Sequence, residues 1–180
     1  MRYRRARIKG GIYFFTLTTF NRKKILTYPE NVEILREAFR YVTGKHFFTI
    51  NAFVLLPDHL HCIWTLPQND SDFSMRWRLI KSYFTRKCAK KFKSSPCKLR
   101  KDEKEQAIWQ RRFWEHLIRD KKDMINQVEY IHYNPVKHGL ASAPKKWQYS
   151  SFHRYVSEGK YSNEWGDGHE INFYKKTGNE

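Results

Sequence analysis

The sequence is poor in cysteine, glycine, proline and acidic residues. It has 3 cysteines, 8 glycines and 6 prolines among 180 residues. The cysteines are scattered and form no C-x-x-C pair, which argues against a disulfide framework and a cysteine zinc site. No apolar run approaches the roughly 18 residues that a membrane-spanning helix needs. The first residues also lack the apolar segment of a signal peptide, so we expect a cytoplasmic protein with reduced thiols.

The excess of basic side chains is the strongest signal in the composition. Lys and Arg number 35 against 18 Asp and Glu, a net charge of +17. Basic side chains neutralise phosphates and release counterions, so nucleic acid is the leading class of partner. A soluble basic protein without such a partner is the alternative. An anionic membrane fits less well, because the charges are spread over the whole chain.

Aromatic residues make up 17% of the chain, which is enough to fill a core and excludes a disordered basic tail. We expect one domain over residues 1–180. Within it we expect a basic arm over 1–10, a mobile loop over 94–106 and a C-terminal tail over 142–180 that packs on the domain.

Apolar periodicity and turn residues predict the element order β-α-β-β-α-β-α. Pro135 should end the last helix, because the residue before a proline resists the helical conformation. Ser71 or Ser74 is the expected cap of the second helix. The order favours an α+β, ferredoxin-like antiparallel sheet with helices on one face and the other face open to a ligand. The predicted strands and helices are, in chain order, 12–20, 29–44, 47–56, 59–66, about 71–92, 108–118 and 120–133.

Two histidines share one face of the predicted strand 59–66. Because side chains alternate along a strand, Leu60, Cys62 and Trp64 take the core face, and His59 and His61 point to the open face about 7 Å apart. Neutral imidazole is a common metal ligand, and two at this spacing can converge on one cation. Surface histidines that stack or form hydrogen bonds are the alternative interpretation.

A tyrosine lies on the polar side of the last predicted helix. A ring lying over the sheet edge with its hydroxyl in water would explain it without a function. However, Asn134 follows Tyr130 by one turn and carries an amide oxygen, which a metal ligand beside the phenol would need. The apolar stripe of this helix holds Met124, Val128 and Ile131, and the polar stripe holds Asp123, Asn126, Gln127, Tyr130, Asn134 and Lys137.

Four segments resemble the REP-associated tyrosine transposases, bacterial members of the single-tyrosine HUH group. They are 50–67, which includes the histidine pair, then 108–119, 129–139 and 147–154, in the order of the family. The likeness runs from Arg4 to about Trp165. It implies the HUH endonuclease fold and binding of REP-type DNA hairpins in the bacterial nucleoid. It also implies cleavage and rejoining of single-stranded DNA through a 5′-phosphotyrosine.

The resemblance implies a divalent metal on His59 and His61 and a nucleophile at Tyr130, with Tyr133 as its rival. The HUH group places a polar metal ligand four residues after the nucleophile, which selects Asn134, with His116 as the reserve third ligand. A phosphate substrate and mixed nitrogen and oxygen ligands suit Mg²⁺ or Mn²⁺.

DNA contacts are expected from the basic arm and the second helix. A non-enzymatic single-strand binding module and a metal-dependent hydrolytic nuclease are the competing functions. A monomer is favoured, and the sequence identifies neither the hairpin nor the general base. The candidate DNA-binding residues are Arg2, Arg4, Arg5, Arg7, Lys9, Arg76, Arg78 and Lys81.

Overall fold

A computed structural model describes residues 7–93 and 108–168 of the chain. Its four strands form one antiparallel sheet in the order β2-β3-β1-β4. This order confirms the α+β, ferredoxin-like fold, including the hairpin of β2 and β3. The strands are β1 (Ile12–Thr18), β2 (Thr49–Leu55), β3 (His59–Thr65) and β4 (Trp114–Leu117).

Two long helices, α1 (Pro29–Lys45) and α2 (Phe73–Lys87), pack on one face of the sheet. Aromatic side chains fill the space beneath them, and the rings of Trp64 and Trp77 stack with centroids 4.1 Å apart. None of the helices among the described residues is both long and apolar enough to cross a membrane. The main core therefore lies between this helical layer and the sheet.

The third helix, α3 (Lys121–Lys137), packs against the opposite face. We expected all helices on one face and the other face open, and this part of the prediction is wrong. Phe14, Val54 and Ile63 project from the strands to this face and form a buried cluster with Val128 and Ile131 of α3. Apolar side chains on both faces of the central strands require a cover on each side.

Two predicted helix boundaries also differ. Pro135 lies inside α3, which continues to Lys137, because a proline in the last turn gives up only one backbone hydrogen bond near the helix end. The cap of α2 is Asp72, whose carboxylate accepts a hydrogen bond from the Met75 amide, rather than Ser71 or Ser74.

The predicted strand 108–118 is mostly not a strand. Trp109 forms only an isolated bridge with Thr19, and regular pairing with β1 begins at Trp114. Ile108 and Trp109 are nonetheless buried in the core, which explains their apolar character without a strand.

The C-terminal segment covers the outer edge of β2 and includes a short helix, α4 (Phe152–Ser157). The Leu55 amide donates to the Tyr149 carbonyl, and the Ser151 amide donates to the Phe53 carbonyl. These bonds occupy backbone groups that an edge strand would otherwise expose.

Candidate active site

The two histidines of the H-x-H pair lie side by side on β3, on the face opposite α1 and α2 as predicted. Their rings meet edge to face with centroids 4.9 Å apart. They do not lie on an open surface, since His59 is 2% exposed and His61 is 0% exposed. The pair is buried because α3 covers this face of the sheet.

Each histidine is held through its Nδ1 atom. The His59 Nδ1 atom lies 2.7 Å from a carboxylate oxygen of Asp58. The His61 Nδ1 atom lies 2.9 Å from the hydroxyl oxygen of Thr16 on the neighbouring strand β1. These contacts fix both ring orientations, and Nε2 is the nitrogen through which each ring would bind a metal.

Asp58 connects the histidine pair to an arginine. The second carboxylate oxygen of Asp58 accepts a hydrogen bond of 2.8 Å from the Arg22 Nε atom. Burial raises the pKa of Asp58, but the hydrogen bonds and charges of His59 and Arg22 outweigh burial and lower the pKa to about 2. Asp58 is therefore a carboxylate at neutral pH and accepts the proton of His59 Nδ1.

Helix α3 brings Tyr130 against the histidines. Its ring centroid lies 5.5 Å from that of His61 and 6.0 Å from that of Phe14, and its side chain is 2% exposed. The polar stripe to which we assigned Tyr130 thus faces the sheet, next to Val128 and Ile131 and not opposite them. The buried face of α3 is broad enough to carry both sets.

Two residues at the end of α3 complete the surroundings of the phenol. The Lys137 ammonium group donates a hydrogen bond of 3.1 Å to the Tyr130 hydroxyl oxygen and lies 4.8 Å from the ring centroid. The His138 ring lies 5.2 Å from that of His59. A positive charge at this oxygen stabilises negative charge on the phenol.

The selected third ligand Asn134, the rival nucleophile Tyr133 and the reserve ligand His116 lie in different surroundings. Asn134 is fully buried one turn after Tyr130 on α3. Tyr133 is half-buried and its ring contacts Trp165 of the C-terminal segment, with centroids 6.4 Å apart. The Nε2 atom of His116 lies 2.8 Å from a carboxylate oxygen of Asp123, so that ring nitrogen is already engaged.

The side chains around the histidine pair limit which residue could serve as a third metal ligand. Among residues 7–93 and 108–168, no group of three or more His, Cys, Asp and Glu side chains is arranged to hold a metal ion. A three-ligand protein site on the histidine pair therefore needs an oxygen donor of another type. The buried amides of Asn134 and Gln127 on the covering helix are of that type.

Residues 8–134 of the chain match the family model described as "Transposase IS200 like". The chain belongs to the IS200-like transposase family. The likeness stated from the sequence is thereby confirmed, and with it the assignment to the transposase enzymes.

Individual relatives of this transposase agree with the family match. The chain is 46% identical to a REP-associated tyrosine transposase of Escherichia coli K12 over 163 residues, 91% of this chain and 89% of the relative. It is 44% identical to a Haemophilus influenzae relative over 165 residues, 91% and 92% of the two chains. Its structure resembles that of a REP-associated tyrosine transposase bound to a REP hairpin, with a TM-score of 0.82 at 41% identity, covering 99% and 98% of the two chains.

The expected DNA-binding residues of the transposase are not equivalent. Arg2, Arg4 and Arg5 lie outside the described residues. Arg7, Lys9 and Arg78 are exposed. Lys81 donates a hydrogen bond of 2.7 Å to the Gln110 carbonyl.

The prediction that Arg76 contacts DNA is wrong. It is 1% exposed, and its guanidinium donates to the backbone carbonyls of His46, Phe47 and Asp72 and forms an ion pair of 2.7 Å with Asp70. Buried charge requires such partners, so Arg76 holds the start of α2 to the end of α1 and is not available to a phosphate.

Sequence reasoning missed Thr16 and Asp58 as neighbours of the site, and it placed Lys137 on the stripe of Tyr130 without giving it a role there. Asp58 directly precedes His59, and Lys137 follows Tyr130 by two helical turns, so both carried a local signal. Thr16 did not, because its contact with His61 depends on the register of β1 against β3.

Proposed function

We propose that this transposase binds REP-type DNA hairpins and cleaves and rejoins single-stranded DNA beside them through a 5′-phosphotyrosine on Tyr130. The observation that carries the proposal is the position of Tyr130, with its ring against His61 and its oxygen 3.1 Å from the Lys137 ammonium group. The choice of substrate is supported by the 41% identical structure, which is bound to a REP hairpin.

The residues fit a divalent metal, for which we propose Mg²⁺ or Mn²⁺. His59 and His61 would hold it through Nε2 and Asn134 through its amide oxygen. When bound, the ion supplies positive charge to a non-bridging oxygen of the scissile phosphate. Asp58 and Thr16 keep the two rings oriented, and orienting partners of this kind commonly change metal affinity by about 10- to 100-fold.

Tyr130 forms the new bond. Its oxygen attacks the phosphorus atom and loses its proton, while the bond from phosphorus to the 3′ oxygen breaks and that oxygen leaves as a 3′-hydroxyl. An unperturbed phenol has a pKa of about 10 and is a poor nucleophile at pH 7. The Lys137 ammonium group favours the phenolate by direct electrostatic attraction.

The covalent link makes the reaction reversible. A phosphotyrosine ester keeps the energy of the broken phosphodiester, so the 3′-hydroxyl of another strand can attack it and release Tyr130. Strand transfer then needs no further energy source. Action on chromosomal hairpins would place the protein in the bacterial cytoplasm with the nucleoid.

Phosphate contacts are proposed for the exposed basic residues Arg7, Lys9 and Arg78. Each neutralised phosphate releases counterions and raises affinity for any DNA. Discrimination between hairpins therefore has to come from DNA shape and unpaired bases.

The test is a denaturing gel of end-labelled hairpin DNA after incubation with protein and Mg²⁺ or Mn²⁺. A covalent adduct that maps to Tyr130 and is lost in Tyr130→Phe supports the proposal, and Tyr133→Phe is the matched control that should retain most activity. Cleavage without an adduct indicates a hydrolytic nuclease, and hairpin binding without cleavage indicates a binding module. An adduct on Tyr133 would overturn the assigned nucleophile and ligand together.

A further inference from the structure

A groove runs along the outer edge of β2, on the face of the sheet that carries α1. It consists of two cavities of about 480 Å³ and about 470 Å³, which share Phe39, Arg40 and Ile50 as lining residues. Residues of α1, β2 and the segment 148–154 line it. We call it the α1 groove, and it is separated from His59 and His61 by the sheet itself.

The floor of the α1 groove is apolar and largely aromatic. The rings of Phe39 and Phe53 meet edge to face with centroids 5.6 Å apart. Phe39 is buried in the core, whereas Phe53 and Tyr149 are half-buried. At the far end, the Phe47 side chain is 64% exposed. Accessible rings along a groove are the kind of surface on which bases stack.

The charged groups of the groove all have one sign. The charged side chains that line its two cavities in the described structure are Arg36, Arg40 and Arg154. Arg154 donates to the carbonyls of Ile50 and Asn51 and is part of the wall.

Arg36 and Arg40 are exposed on α1. Arg36 forms an ion pair of 2.6 Å with Glu33, and the two side chains are each 59% exposed. Exposed pairs contribute little free energy, so Arg36 can exchange Glu33 for a phosphate at small cost.

We propose that the α1 groove binds unpaired nucleotides that continue from the DNA hairpin, with bases against Phe47 and Phe53 and phosphates on Arg36 and Arg40. This inference rests on the proposed function and adds a second DNA contact away from the histidine pair. A nucleotide combines an apolar ring with an anion, which is the combination that the groove accommodates. The net charge of +17 further favours a polyanion as the occupant.

One position allows the groove to be blocked without touching the core. Gly44 lines the second cavity near the end of α1, and a Cβ added there would meet no atom within 4 Å. Gly44→Trp therefore places an indole ring in the second cavity, which Phe47 also lines. Gly44→Ala is its control, since both variants remove a helical glycine but only Gly44→Trp adds bulk. Arg40→Gln tests the phosphate contact, and Arg86→Gln removes one exposed charge from α2 as its control.

The measurement is the affinity for two fluorescent hairpins with the same stem, one blunt and one with a short oligo-dT extension. Gly44→Trp should weaken binding of the extended hairpin by at least about fivefold relative to Gly44→Ala, as expected for loss of one stacked base. Binding of the blunt hairpin should be the same for both variants. Arg40→Gln should weaken the extended hairpin more than Arg86→Gln does, while melting temperatures confirm folding.

Equal ratios of extended to blunt affinity in Gly44→Trp and Gly44→Ala would overturn the proposal. A second result would also overturn it. If Gly44→Trp abolished binding of an acidic, phenylalanine-containing peptide and did not affect binding of DNA, the groove would be a docking site for a protein. Either result leaves the Tyr130 adduct of the wild-type chain unaffected. The groove and the proposed function can therefore fail separately.

Discussion

The hydroxyl oxygen of Thr16 on β1 lies 2.9 Å from Nδ1 of His61 on β3. The two residues are direct partners in the β1 and β3 register. Asp58 holds the same atom of His59 at 2.7 Å. The two rings of the pair are thus oriented by partners of different chemistry, a carboxylate for His59 and a neutral hydroxyl for His61.

Thr16→Val should weaken Mn²⁺ binding by about 10-fold or more, because it removes the hydroxyl that orients His61 and keeps the shape of the side chain. Titration calorimetry of the protein alone measures this without relying on activity. Thr65→Val is the matched control, since its hydroxyl donates to Asn51 and not to a histidine. Wild-type Mn²⁺ affinity in folded Thr16→Val would remove Thr16 from the site.

The histidine pair was predictable because period-two alternation needs only six consecutive residues. The burial of His59 and His61 was not, because it results from a helix more than 60 residues later along the chain. The sequence places Tyr130 on a polar stripe beside the metal ligands, but it sets that stripe apart from the apolar stripe that faces the core. In the structure its polar group meets Lys137 and its ring meets His61, so both parts of the side chain are satisfied in a buried position.

Two sequence predictions, the strand around Trp109 and the phosphate contact of Arg76, are wrong because tertiary contacts override the local sequence pattern. The long apolar run around Trp109 predicted a strand, but a core position satisfies an apolar side chain without a ladder. The basic character of the second helix predicts Arg76 as a phosphate contact. Only the approach of α1 to α2 supplies the carbonyls that bury it. The charge of an arginine therefore does not distinguish a phosphate contact from a buried structural ion pair.

Asp70→Asn should destabilise the protein by roughly 1 kcal/mol at pH 7, because it removes the charged partner of buried Arg76. The effect is small because the Asp70 side chain is 32% exposed and solvent screens the pair. The hydrogen bond from Arg76 lowers the pKa of Asp70 below its ordinary value of 3.8. The stabilisation is therefore complete above about pH 4 and is lost as the pH falls through the lowered pKa.

Urea unfolding at several pH values measures this difference between wild type and Asp70→Asn. Glu30→Gln is the control, because Glu30 and its partner Lys91 are both exposed and the pair should contribute little. A difference that grows as the pH falls below 4 would contradict the assigned pair.

Hairpin selectivity should survive salt that suppresses general DNA binding. With a net charge of +17, affinity for any DNA should fall steeply as salt rises. Contacts to shape and unpaired bases depend less on salt, so the ratio of hairpin to blunt-duplex affinity should increase toward about 0.15 M. Competition binding at several salt concentrations measures the ratio, and equal affinities at the highest salt would exclude hairpin recognition.

Lys137→Gln should slow formation of the DNA adduct by about 100-fold or more, on the scale of removing one preorganised donor at a developing charge. The reason is the 3.1 Å hydrogen bond from its ammonium group to the Tyr130 oxygen, which stabilises the phenolate needed for attack. Single-turnover cleavage with saturating protein separates this effect from binding. Hairpin affinity should fall no more than in Lys121→Gln, which removes an exposed charge at the other end of α3.

Lys137→Arg should restore part of the rate, because it returns a cation to the phenol. If Lys137→Gln instead weakened hairpin binding and left the single-turnover rate unchanged, Lys137 would be a phosphate contact and not a partner of Tyr130.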